Sequence, residues 1–460
     1  MCTLTGFLVF VLSLHTYQAL SLPAIAGPKY LISISLFFIL DINFRNVYSS
    51  YLSSLSDIQS LLHPPRFTEL ASQYGHPAET HHVTTEDGYI LTMFRLPGNR
   101  KALPILLFHG LCDSSDTWII RGNTSLSITL ARLGYDVWLG NVRGNRYSME
   151  HVSLDPNVDS AFWNYTFNEH GLYDLPATVD YILNNTGASK LNMFGHSQGT
   201  TMMWVLLSTR TEYNDKINVA TALAPVCYVK YVLPPLSRIT QIIVPLYPVL
   251  RALGITSVLA DDSIATIAFR VISRIPVIGY LIDGYDILFS WFGLDSSELE
   301  PSFLPTVADH VPTSTSLKNI IHWGQETLSG QFWRFDYGKA GNRAVYNSST
   351  PPEYPLGRIR TKVVLLAALN DKVSQMPDLE NLRRQLPNVV MYVINPRLVM
   401  NHLDYVWGRT VPSYLYNYIF EVLRMYGCTK LQFERKITRD STLFALESTH
   451  TKNVHASKQS

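Results

Sequence analysis

The sequence predicts an α/β fold: a mostly parallel central sheet with helices on both faces and an inserted helical block. Three observations predict it. Short, mostly apolar runs recur at 103–108, 190–194, 362–368 and 388–394; each reads as a strand, the first three as strands buried in the sheet. As far as Val226 such runs alternate with helix-like segments, the pattern of parallel strands joined by crossover helices. After Cys227 the composition shifts. Apolar stretches at 231–259 and 264–292 are punctuated by Pro234, Pro235, Pro245, Pro248 and Gly254, then by Pro276, Gly279 and Gly284.

The 190–194 run ends in Gly195-His196-Ser197-Gln198-Gly199, and an apolar helix-like stretch, 200–207, follows. This is G-x-S-x-G between a strand and a helix. A turn so tight is strained and pushes the serine oxygen out at the end of the sheet, and the small glycines let strand and helix pack around it. The 103–108 run ends in His109-Gly110-Leu111. A turn there can aim a backbone N–H at an oxyanion, and the residue after the nucleophile supplies the second. That pair is Leu111 and Gln198. A carboxylate beyond the 362–368 run would orient a histidine. Asp371 follows it directly, and Asp378 is the competing candidate. Beyond the 388–394 run stands His402, the expected general base. The order Ser197, Asp371, His402 is that of the α/β-hydrolases.

With these residues in place the chain resembles the acid lipase family of α/β-hydrolases, which includes gastric and lysosomal acid lipases. Further matching segments are Tyr74-Gly75-His76-Pro77, Glu86-Asp87-Gly88-Tyr89, Arg143-Gly144-Asn145, Tyr173-Asp174-Leu175-Pro176 and His322-Trp323. The resemblance runs from about Pro65 to about Cys428. It implies a triad of Ser197, Asp371 and His402, oxyanion donors Leu111 and Gln198, and hydrolysis of triacylglycerols or cholesteryl esters without a cofactor. One departure is clear. Relatives commonly carry a cysteine pair in the cap, whereas the matching stretch here, 277–286, has no cysteine.

Composition narrows the alternatives. A formal net charge of +1 provides no field to attract nucleic acid. The sequence contains no Walker loop, dinucleotide fingerprint or metal-spaced Cys/His cluster. The expected partner is a neutral lipid ester at a lipid–water interface, with no nucleic acid and no obligate protein partner. Four cysteines do not make a disulfide framework. Sequons stand at Asn123, Asn164, Asn184 and Asn347. At the N-terminus, 6–14 has the length of a signal-peptide apolar core and 30–40 is a second apolar run. Neither alone reaches the roughly 20 residues of a membrane span. A secretory route to the extracellular fluid or lysosomal lumen is expected.

The expected organisation is a targeting segment at 1–42 and a leader at 43–65. The hydrolase core occupies 66–226 and 325–428, a helical cap is inserted at 227–324, and 429–460 is a polar, disordered tail. Two rival functions share the fold: a carboxylesterase for small soluble esters, and a non-catalytic lipid-binding relative.

Overall fold

A computed structural model describes residues 64–98, 102–274 and 298–426. The expected targeting segment, most of the leader, the tail and the cysteine-free stretch 277–286 lie outside these residues.

The sheet opens with an antiparallel hairpin, β1 (Glu79–Thr84) and β2 (Tyr89–Leu96), which the short β5 (Glu150–His151) joins along β2. The parallel part comprises β3 (Ile105–Phe108), β4 (Val137–Gly140), β6 (Leu191–His196), β7 (Ile217–Leu223), β10 (Lys362–Ala367) and β11 (Val389–Ile394). Their spatial order is β1-β2-β4-β3-β6-β7-β10-β11. The expected runs thus form strands, slightly trimmed, except that β6 extends through His196 and delivers its end directly to Ser197.

Side-chain alternation explains why the runs are apolar at most positions. Ile105, Leu107, Phe194, Val364 and Leu366 point into one core cluster. There they meet α1 (Phe67–Gln73), α2 (Leu126–Arg132) and the C-terminal helix Tyr416–Tyr426. Leu106, Phe108, Met193, Val363 and Leu365 point to the other face. That face is covered by α3 (Leu175–Thr186), α4 (Gln198–Thr209) and the helix Met376–Gln385. Polar residues within the central strands are few, Asn192 of β6 and Thr221 of β7 among them, whereas β11 at the sheet edge leaves Val390 and Ile394 exposed.

Between β7 and β10 the chain forms α5 (Leu236–Ala252), α6 (Ile264–Ser273), α7 (Leu304–His310) and α8 (Leu317–Ser329), and the short β8 (Ser257–Val258) pairs antiparallel with β9 (Thr315–Ser316). Of the prolines that punctuate the first block, Pro234 and Pro235 stand before α5, whereas Pro245 and Pro248 lie inside it without ending it. Each proline removes one helical N–H donor, yet the packing of α5 on α8 keeps the helix continuous. Ile243, Tyr247 and Leu250 pack against Leu317 and Ile321 of α8. Leu246, Val249 and Leu253 face away and are exposed, Leu253 by 71 %. A boundary at 324 falls inside α8, which serves both the inserted segment and the core. This segment is fastened to the core by buried charge. Arg146 reaches the Asp309 carbonyl and the Asp261 carboxylate, while Asp116 receives His310 Nδ1 at 2.8 Å.

Candidate active site

The C-terminal ends of β3, β6, β10 and β11 open on the same edge of the sheet, and the residues singled out in the sequence meet there. Ser197 has φ 53° and ψ −123°, a strained combination for a residue with a β-carbon. Two glycines make it attainable. A β-carbon on Gly195 would lie 2.6 Å from the Gly199 carbonyl carbon, and one on Gly199 would lie 2.6 Å from the Phe108 oxygen. Strand, turn and helix are therefore packed backbone to backbone.

Ser197 Oγ lies 2.8 Å from His402 Nε2. His402 Nδ1 lies 3.0 and 2.9 Å from the two Asp371 oxygens. His402 and Asp371 are buried, and Ser197 is half-buried. The backbone N–H groups of Val373 and Ser374 both donate to Asp371 Oδ1 at 2.8 Å, so the carboxylate faces the imidazole in a set orientation. The competing acid, Asp378, is not part of this chain of bonds. It sits in the first turn of the Met376–Gln385 helix and accepts the Tyr231 backbone N–H at 2.8 Å. Burial pushes its carboxyl up.

The His109-Gly110-Leu111 turn lies beside the serine: a β-carbon on Gly110 would be 3.7 Å from Ser197 Oγ. Neither the Leu111 nor the Gln198 backbone N–H has a hydrogen-bond partner among the described residues. His109 props the turn. Burial lowers its pKa to about 4, so it is neutral, with Nδ1 donating to the Gly110 carbonyl at 2.8 Å. Its Nε2 accepts from the Val142 N–H and from Asn145. His196, inside the motif, is pushed down to about 3, first by burial and then by His402. It donates from Nε2 to the His402 carbonyl at 2.8 Å and so supports the loop that carries the histidine.

Several residues of the matching segments are structural. Arg143 is buried between Asp87 and Asp174, with its guanidinium 3.9 Å over the Tyr89 ring. Cys112 and Cys227 are free thiols, and burial pushes the Cys112 pKa up to about 12, far from a reactive thiolate. Among the described residues no group of three or more His, Cys, Asp or Glu is placed to hold a metal, and no helix is long and apolar enough to cross a membrane.

One set of contacts had no sequence signal. Gln198 Oε1 accepts from Asn319 Nδ2 at 2.9 Å and from Trp323 Nε1 at 2.8 Å, both on α8. Trp323 stood in a matching segment without a role, and nothing in its spacing points to residue 198.

A hydroxyl bonded to an imidazole that is bonded to a carboxylate can pass its proton to the ring as it attacks an acyl carbon. Comparison with known proteins fits this geometry. Residues 104–245 match a family model described as the alpha/beta hydrolase fold, and residues 67–122 match a partial alpha/beta-hydrolase lipase region. The chain is 36 % identical over 360 residues to Lipase 1 of Drosophila melanogaster, covering 77 % of this chain and 79 % of that protein. It is 35 % identical to gastric triacylglycerol lipase of Rattus norvegicus, covering 77 % and 91 %. Against the human gastric triacylglycerol lipase it is 34 % identical, covering 81 % and 96 %. With identity at this level across most of both chains, and an α/β-hydrolase sheet beneath the elbow, the protein belongs to the acid lipase family of α/β-hydrolases.

Proposed function

We propose that this protein hydrolyses neutral lipid esters, triacylglycerols or cholesteryl esters, through an acyl-enzyme intermediate. Ser197 Oγ attacks the ester carbonyl while His402 Nε2 takes its proton. Asp371 holds the imidazole in the tautomer with Nδ1 protonated and stabilises the imidazolium. The developing oxyanion is met by the N–H groups of Leu111 and Gln198, which no group among the described residues engages. His402 then gives its proton to the leaving alcohol. Water attacks the acyl-enzyme by the same route, releasing the fatty acid and regenerating Ser197.

The observation that carries this reading is the unbroken chain Ser197–His402–Asp371, with every link at 2.8–3.0 Å, beside two N–H groups that are unengaged among the described residues. In this reading residues 227–324 act as a cap at a lipid–water interface, where the exposed apolar face of α5 meets the lipid. The apolar runs at the N-terminus and the gastric lipase relatives support a secretory destination, extracellular or lysosomal.

The test is a comparison of rates, with purified protein, on a soluble short-chain ester, an emulsified long-chain triacylglycerol and a cholesteryl ester. Turnover of either lipid at a rate comparable to the short ester is expected. Activity confined to the soluble ester would make it a carboxylesterase, and inactivity on all three would leave a lipid-binding relative.

A further inference from the structure

The His322-Trp323 pair belongs to the matching segments, yet none of the chemistry above uses it. Its helix, α8, passes the elbow and sends two side chains to a single atom, Gln198 Oε1. Each amide in this set is oriented by a group with only one possible role. An indole nitrogen can only donate, so the Gln198 atom facing Trp323 is the oxygen. The Phe167 backbone N–H can only donate, and it lies 2.8 Å from Asn319 Oδ1. Asn319 must therefore turn its Nδ2 toward Gln198. Its own backbone N–H donates to Ser316 Oγ at 2.9 Å, the N-cap of α8. Asn319 and Gln198 are both buried.

Gln198 has reason to be held. It is the first residue of α4, immediately after the strained Ser197. N–H groups in a first helical turn have no intrahelical partner to steady them. A side chain pinned by two donors from a separate element restrains rotation of its own peptide. A donor that drifts from the site of the developing oxyanion weakens transition-state binding and leaves substrate binding almost unchanged.

We propose that Asn319 and Trp323 are positioning residues for the oxyanion site, a two-donor clamp from α8 that keeps the Gln198 N–H aimed at the transition-state oxygen; this rests on the Ser197 chemistry proposed above. The clamp also joins that site to the cap. Leu317 and Ile321, which pack under α5, lie on the face of α8 opposite Asn319 and Trp323, as a 3.6-residue repeat requires.

The decisive variant is Trp323→Phe, which keeps the ring and removes the donor. On a soluble ester it should lower kcat about tenfold with KM within about twofold, a fraction of the loss from removing an oxyanion donor outright. Inhibition by an alkyl boronic acid, which forms a tetrahedral adduct on the serine, should weaken by a similar factor. In a Gln198→Ala background, which keeps the backbone N–H, Trp323→Phe should have almost no further effect. Asn319→Asp, which replaces the donor with an acceptor of the same shape, is judged by the same criteria should Trp323→Phe fail to fold. An unchanged kcat, a loss confined to KM, or a kcat loss that persists in full without the Gln198 side chain would overturn the clamp. Retention of a tenth or more of wild-type turnover in Ser197→Ala would instead remove the catalytic reading beneath it.

Discussion

Asp371 and His402 face each other across 2.9 Å, and the carboxylate is aimed by two backbone N–H groups from the turn that follows it. Asp378, the other acid after the same strand, holds the Tyr231 backbone. Asp371→Asn offers the imidazole an amide where it needs an acceptor and favours the wrong tautomer. It should lower kcat by on the order of 10⁴. Asp378→Asn should cost less than about tenfold in kcat and show mainly in thermal stability. Steady-state kinetics on both variants decide the matter: equal losses would contradict this assignment of the acid.

Ser197→Ala removes the attacking oxygen while leaving a β-carbon in the same strained backbone. Turnover should fall by on the order of 10⁴ or more, with the melting temperature little changed. Activity measured beside a thermal melt checks both halves, and a tenth of wild-type turnover would place the nucleophile elsewhere.

Gly195→Ala should destabilise the fold as well as inactivate it. The added methyl group would stand 2.6 Å from the Gly199 carbonyl carbon, which is backbone and cannot step aside. Overpacking of this kind costs about 1–3 kcal/mol. Chemical denaturation would reveal it, and a variant of unchanged stability would mean the elbow is looser than the geometry requires.

Stability should respond to pH through two opposing sets of buried groups. Burial lowers the pKa of His196 and His322 to about 3 and that of His109 to about 4, below the usual 6.5. Their contribution is present above 6.5 and is lost as pH falls through those lower values. Glu326 on α8 is buried, and burial raises its pKa well above 4.5 against a weaker opposing pull from the Trp333 backbone. Its contribution is complete below 4.5 and is lost as pH rises through the higher folded value. Glu326→Gln should therefore raise the melting temperature at pH 7 relative to pH 5 and leave the acid limb in place. Parallel melting curves for the two proteins across that range would count against a protonated Glu326.

The outer face of α5 predicts a difference between substrates. Leu253→Ser together with Val249→Ser should cut hydrolysis of an emulsified long-chain ester by about tenfold and that of a soluble ester by less than about twofold, because only the emulsion needs an apolar landing surface. Assays on both substrates check it, and equal losses would reduce the exposed face to a role in stability.

What the sequence determined by itself is local. Strands such as 103–108 and 362–368 are legible because a strand buried on both faces is apolar at nearly every position. The elbow is legible because only glycine fits on either side of Ser197. The order of serine, acid and histidine follows from which strand ends precede them. The tertiary structure decided what depends on partners distant in the chain. Asp371 and Asp378 are equivalent carboxylates as letters, and only the turn through Val373 and Ser374 aims one at His402 while the helix after it carries the other to Tyr231. Pro245 and Pro248 suggest breaks, but packing on α8 carries α5 through both. The clamp on Gln198 comes from residues more than a hundred positions away. Periodicity records which face of an element is buried, whereas a hydrogen bond between elements depends on how those faces are brought together, and no local pattern encodes that.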